Sequence, residues 1–215
     1  GLKTFYAAWC RSVPFDNIRK MIALRSDGGA AMPGIDAADF FENWLSNGSG
    51  GTCWPSNNAI FMLLNTLGFD ARRASGSMFD LPDVNHGTVK VTVDGRDWLV
   101  DGAILANVPL PLTEELYIGR DPGVGVEIEY VDGTHIVWIE FLPMSEYVPC
   151  RLRDNAVDFD YFHERYETFS RERSPFNAKL YSRKSGPNGA TVISGNNEFS
   201  KSNGEMVVRE FSKDE

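Results

Sequence analysis

The chain has 215 residues, 42% hydrophobic and 24% charged, with a formal net charge of −9. That size suits one sizeable core or two or three small ones, and the acidic balance, with no Lys/Arg-rich segment, argues against a nucleic-acid groove or an anionic membrane surface. No apolar run reaches bilayer length, "GLKTFYAAWCRS" lacks a secretory core with a cleavage site, and Cys10, Cys53 and Cys150 lie too far apart for a disulfide framework, so a reduced, cytoplasmic protein is expected.

Up to about residue 70 the chain reads as helical. In "IDAADFFENWLSNG" the residues Ile35, Phe40, Phe41, Trp44 and Leu45 recur at helical spacing, with Asp36 as N-cap and Gly48 just past the end. "NNAIFMLLNTLGFD" carries Ala59, Ile60, Met62, Leu63, Leu64 and Leu67 around most of its circumference, which predicts a largely buried helix.

From about 71 to 152 the period changes to two. "GTVKVTVDGRDWLVDG" alternates Val89, Val91 and Val93 with Lys90 and Thr92, turns at Asp94-Gly95 and resumes at Trp98-Leu99-Val100. "VEIEYVDGTHIVWIEFLPM" repeats the device around Asp132-Gly133. With the strand-like "FDARRAS", two adjacent hairpins predict an antiparallel sheet or small barrel. From about 153 to 215 the pattern is mixed: a short helix in "DFDYFHERYETFSRE", strands in "ATVISGNNEFS" and "EMVVREF", and a disordered "SKDE" tail.

Two features of this pattern bear on chemistry. His86 precedes the first strand of the first hairpin and Asp101 follows the second. Residues equidistant from the turn face each other, so the pair is predicted to meet at the open end of the ribbon. Cys53 follows "GSGG" at the start of the apolar helix, where free N–H groups and the helix dipole favour a thiolate. Pro55 suits the first turn of that helix. Together Cys53, His86 and Asp101 form a nucleophile, a base and an orienting acid. Taken singly, each has a plainer reading as a packed thiol, a surface imidazole and a turn former. His135 and His163 lack an equally placed acid and are expected at the surface. The scattered Cys and His residues give no metal signature, and "GRDPGVG" lacks the Lys-Ser/Thr ending of a phosphate loop.

"VPFDNI" (13–18), "SGGTCW" (49–54), "NHGTVKVTVDGRDWLVDGA" (85–103) and "SPFNAKL" (174–180) together resemble the arylamine N-acetyltransferases in order and spacing across nearly the whole chain. The resemblance implies an α+β fold in three parts: a helical bundle carrying the nucleophile (1–70), an antiparallel β-barrel carrying His and Asp (71–152) and an α/β lid (153–215). It implies Cys53 as nucleophile, His86 as base and Asp101 as orienter of a ping-pong transfer. An acetyl group would pass from acetyl-CoA to an arylamine, arylhydrazine or N-hydroxyarylamine, in a monomer or homodimer without metal. It further implies Gly102 and Ala103 at the CoA channel and Met78, Phe79 and Leu81 along the acceptor pocket. Trp54 is a further pocket candidate, although an apolar side chain there can equally be core.

The chain departs from the family at several points. Ser49 stands in place of an Arg and Pro55 in place of a Glu, a paired swap. Ile104-Leu105 make the turn after Asp101 bulkier, and the segment between Cys53 and His86 is shorter. The start of the helical bundle is missing, which suggests a truncated N-terminus. Two other readings keep the triad: an amide synthase or acyltransferase with a different acyl thioester, and a hydrolase with water as acceptor. A third, a binding module with a silent site, is disfavoured by the intact triad.

Overall fold

The structure is a computed structural model that describes residues 1–26, 29–144, 146–153 and 155–212. The last three residues of the "SKDE" tail lie outside the described residues. Helix α1 (Leu2–Ser12) is followed by a two-residue strand, β1 (Phe15–Asp16), then α2 (Ile18–Arg25), α3 (Ala37–Asn47) and α4 (Cys53–Thr66). Asp36 caps α3 by accepting the Ala38 and Asp39 N–H groups, and Gly48 closes it at φ 72°.

The burial of α4 differs from its hydropathy. Trp54 to Ile60 are buried, including Ser56, Asn57 and Asn58, whereas Met62 and Leu67 are exposed. The first two turns of α4 lie inside the protein, and there the polar side chains find partners. Ser56 Oγ donates to Gly51 O (2.9 Å) and Asn58 Nδ2 to Ile35 O (2.7 Å), while Asn58 Oδ1 accepts from Arg73 Nε (2.8 Å).

Strands β2 (Asp70–Met78), β3 (His86–Val93), β4 (Arg96–Leu99), β5 (Leu110–Pro111), β6 (Tyr117–Arg120), β7 (Gly125–Val131), β8 (Thr134–Phe141) and β9 (Glu146–Leu152) form one antiparallel sheet, in the order β5-β4-β3-β2-β9-β8-β7-β6. The two hairpins are β3–β4 and β7–β8, each closed by an Asp-Gly turn with both residues at positive φ. They are not neighbours in the sheet, because β2 and β9 pair between them.

Helix α5 (Phe159–Arg165) runs through a π-turn (Tyr166–Ser170) into a last short turn, α6 (Arg171–Arg173). Strands β10 (Tyr181–Gly186), β11 (Gly189–Ser194), β12 (Asn197–Ser202) and β13 (Glu205–Glu210) make a second antiparallel sheet, and β1 adds to its edge beside β10. The fold is thus α+β: helices, a barrel-like curved sheet and a second sheet.

Strand β1 joins the two ends of the chain. Phe15 lies opposite Arg183 and also bridges to Gly51. Asn17 Nδ2 donates to Phe176 O (2.7 Å) and Lys179 O (2.8 Å), and its Oδ1 accepts from Tyr181 N (2.9 Å). The "VPFDNI" and "SPFNAKL" segments, far apart in sequence, therefore interlock. Phe15 meets Phe176 edge-on, with centroids 4.8 Å apart. The main core lies between α1, α3 and α4 and the inner face of the large sheet; Met32, Ile35, Trp54, Phe162 and Tyr166 form a smaller one.

Candidate active site

Thr52 is the N-cap of α4 and Cys53 its first residue, so the sulfur sits where the helix dipole favours negative charge. Cys53 is half-buried, with Sγ 4.0 Å from Asn85 O. Cys10 and Cys150 are buried, and burial pushes their thiols up to about 12 and about 11. Of the three free thiols, Cys53 is the one that lines the cavity described below.

His86 opens β3 and Asp101 lies two residues past β4. The register centres between Asp94 and Gly95, with Val93 opposite Arg96 and Lys90 opposite Leu99. Continued outward, it sets Asp101 across from Thr88 and makes His86 its diagonal neighbour, one step from the equidistant pairing expected. The side chains still meet: His86 Nε2 is 2.7 Å from Asp101 Oδ2, and both residues are buried. This leaves Nδ1 turned away from the carboxylate, and the Cys53 side chain acts on the ring as well. Burial alone would disfavour the imidazolium. The Asp101 carboxylate, its hydrogen bond to the ring and the neighbouring Cys53 side chain outweigh it and hold His86 well above its ordinary range. Asp101 likewise stays well below the usual carboxylate range despite burial, because it faces His86 and accepts from Ile104 N.

The turn after β4 is built around Asp101. Its Oδ1 accepts from Ala103 N (2.7 Å), Ile104 N (2.9 Å) and Asn57 Nδ2 (3.2 Å). Tyr6, fully buried in α1, donates through its hydroxyl to Asp101 O (2.7 Å). Asn57, one turn after Cys53, also donates to Gly87 O (2.7 Å) and accepts from Gly102 N (2.8 Å). One amide thus ties the nucleophile helix to both the His86 strand and the Asp101 turn.

Cys53 and His86 open onto a cavity of about 450 Å³. Its lining includes Met78, Phe79, Ala103, Ile104, Phe176 and Arg183. Residues before β2, from the large sheet and from the C-terminal part all contribute. Met78, Phe79, Leu81 and Ala103 therefore face the cavity, as their candidate roles require. Gly102 and Trp54 do not. A Cβ on Gly102 would lie 3.0 Å from Ser56 O, so this residue is pressed onto α4. Trp54 is fully buried, its ring 5.0 Å from Phe162 and flush against Gly87, where a Cβ would approach to 2.6 Å. It supports the strand that bears His86. Of the two bulky residues after Asp101, Ile104 lines the cavity while Leu105 packs into the core at φ 55°.

Ser49, where the family has an Arg, finds its partner on β1. Its hydroxyl donates to Asp16 Oδ1 (2.9 Å), and Asp16 Oδ2 accepts from Gly50 N (2.7 Å). Burial raises the Asp16 carboxyl above its ordinary value even with these donors. His135 and His163 are not deeply buried; His163 has Glu167 4.0 Å away on the next turn, an acid the sequence reading had not assigned. Among the described residues, no group of three His, Cys, Asp or Glu side chains could hold a metal ion, and no helix is long and apolar enough to cross a membrane.

Sequence reasoning did not single out Asn57, Tyr6, Asn85, Asp16 or Arg183. A signal existed for the first: Asn57-Asn58 is a polar pair inside an apolar helix, and such pairs are retained where they are hydrogen-bonded.

The fold brings Cys53, His86 and Asp101 together beside one cavity, and comparison with known proteins gives the chain a family. The N-acetyltransferase family profile matches residues 1–215, and the chain belongs to that family. It is 25% identical to human arylamine N-acetyltransferase 1 over 146 residues, 65% of this chain and 48% of that one. It is 38% identical to proansamycin X synthase of Amycolatopsis mediterranei over 72 residues, 31% of this chain and 28% of that one. The chain spans about half or less of the length of these curated relatives. The arylamine N-acetyltransferase of Mycobacterium marinum, solved in complex with CoA, superposes with a TM-score of 0.82 at 16% identity, covering 98% of this chain and 80% of that one.

Proposed function

We propose that this chain is a cysteine acyltransferase that carries an acetyl group from acetyl-CoA to an arylamine, arylhydrazine or N-hydroxyarylamine through a thioester on Cys53. The observation that supports it most is the cavity of about 450 Å³ into which Cys53 and His86 open, with Asp101 buried behind the imidazole. The relatives' names and the CoA-bound neighbour favour the same donor and acceptor classes.

In the first half-reaction the Cys53 thiolate attacks the acetyl carbonyl, the bond to the CoA sulfur breaks, and CoA leaves as the thiol with the proton from the His86 imidazolium. In the second the acceptor nitrogen attacks the Cys53 thioester and gives its proton to His86. The carbon–sulfur bond then breaks, and its electron pair returns to Cys53. Asp101 fixes the ring so that Nδ1 serves the sulfur in both steps. Exchange of one thioester for another is nearly isoenergetic, and amide formation draws the second step forward. The apolar wall of Phe79, Phe141 and Phe176 suits an aromatic acceptor and limits water.

Intact-protein mass spectrometry after acetyl-CoA, without acceptor, tests this reading. One added acetyl group is expected on the protein, lost in Cys53→Ala and discharged by an arylamine. No added mass would overturn the acetyl donor. A second reading keeps the triad and changes the donor to another acyl thioester. Ile104 on the cavity wall and the similarity to a synthase favour it. The same mass readout with a panel of acyl-CoAs and simple thioesters separates the two, and rapid loss of the acyl group without an amine would indicate hydrolysis.

A further inference from the structure

Lys20 lies on α2 and is 2% exposed, an unusual place for a lysine. Its Nζ donates to Ser170 O and Ser170 Oγ, each at 2.9 Å, and both acceptors are neutral. No ion pair joins Lys20 to a carboxylate among the described residues. An ammonium removed from water without a counter-ion costs several kcal/mol, so such a group persists where a negative charge is available to it. Ser170, which holds it, is a wall residue of the cavity that Cys53 lines.

We infer that Lys20 is a positioning residue for Cys53: a buried ammonium, anchored on Ser170 at the cavity wall, that gives the thiolate a second cation beside the His86 imidazolium. This rests on the reading of Cys53 as the nucleophile. Two charged groups act on Lys20, the Cys53 sulfur, which favours the ammonium, and Arg171, which opposes it. Lys20, His86, Tyr166 and Cys150 are the groups on which the Cys53 sulfur acts electrostatically. Burial pushes the Tyr166 hydroxyl well up and the Cys150 thiol up to about 11, so both are neutral at pH 7 and the two cations are the charges beside the sulfur. Burial brings Lys20 down to about 8, which leaves it mostly protonated at pH 7 and neutral above pH 9. The second cation is therefore present over the neutral range and withdrawn in base.

The test is the pH profile of Cys53 alkylation by iodoacetamide, read at the Cys53 peptide by mass spectrometry, in the full chain and without any acyl donor. Lys20→Met is expected to move the midpoint of the profile up by about one pH unit and to leave the rate at high pH unchanged. Lys20→Arg is expected to restore the wild-type midpoint. An unmoved midpoint in a folded Lys20→Met protein overturns the inference, because a lysine that merely packs would change the melting temperature and not the profile. Should Lys20→Met fail to fold, titration of Lys20 Nζ by NMR in Cys53→Ala decides the matter: its midpoint is expected to fall once the sulfur is gone, and an unchanged midpoint overturns the inference. Alkylation needs no acetyl-CoA, so a missing acetyl adduct and an unmoved profile are separate failures.

Discussion

Replacing Asn57 by Ala removes the amide that joins α4 to the strand bearing His86 and to the turn bearing Asp101. The Gly102 N–H loses its acceptor at 2.8 Å in a buried site, a desolvation cost of about 1–3 kcal/mol. Gly87 O and Asp101 Oδ1 each lose a donor, at 2.7 and 3.2 Å, for about 0.5–1.5 kcal/mol apiece. Asp101 Oδ1 keeps the Ala103 and Ile104 N–H groups, so the smaller figure applies to it. The sum is roughly 3 kcal/mol, a fall of about 9 °C in Tm for a chain of this size. Urea denaturation reads the stability and stopped-flow acylation reads the chemistry; the acylation rate should drop as well, since the Asp101 turn loosens against α4. Asn65→Ala, on the exposed far end of the same helix, is the control and should cost under about 0.5 kcal/mol. A loss below about 1 kcal/mol at Asn57 with an unchanged acylation rate would refute the bridging role.

Other consequences can be measured in the same protein. Asp101 is depressed, so its stabilisation is present above its unfolded value of about 3.9 and is lost as pH falls through the folded value; His86 is raised, so its share is complete below its unfolded value of about 6.5 and is lost as pH rises through the folded value. Their joint contribution should peak between about pH 4 and 6.5, and a His86→Gln protein should lose that maximum in denaturation curves taken across pH; a curve that keeps it would contradict the pairing. Ile104→Ala widens the cavity wall and should raise kcat/KM for longer acyl-CoA donors about tenfold relative to acetyl-CoA, whereas a constant ratio would remove Ile104 from donor selection. Trp54→Phe should lower Tm while leaving the acceptor KM unchanged, because the ring packs on Gly87 and Phe162 and not on the cavity; a raised KM would return Trp54 to the substrate site.

The elements governed by local chemistry were the legible ones. Asp36 and Gly48 bound α3 because capping is a matter of one side chain and one φ angle, and the Asp94-Gly95 and Asp132-Gly133 turns follow from their tolerance of positive φ. The His86–Asp101 contact was legible for the same reason, since a tight turn sets the register, although the two residues meet diagonally and not directly opposite each other. What a sequence hides is the partner on another element. The insertion of β2 and β9 between the hairpins depends on long-range pairing, and Phe15 opposite Arg183 joins residues far apart in the chain. Trp54 resembled a pocket residue because aromaticity does not reveal which side of a helix meets Gly87. Lys20 drew no notice because a lysine is read as exposed until its surroundings are seen.

The pairing of β1 with β10 sets an order of events during synthesis. Tyr181 and Arg183 help to wall the cavity, and the strand that holds them docks on residues near the start of the chain. A ribosome must therefore release the chain past Arg183 before the recess around the sulfur closes. Until then the nascent thiol lacks its shaped surroundings.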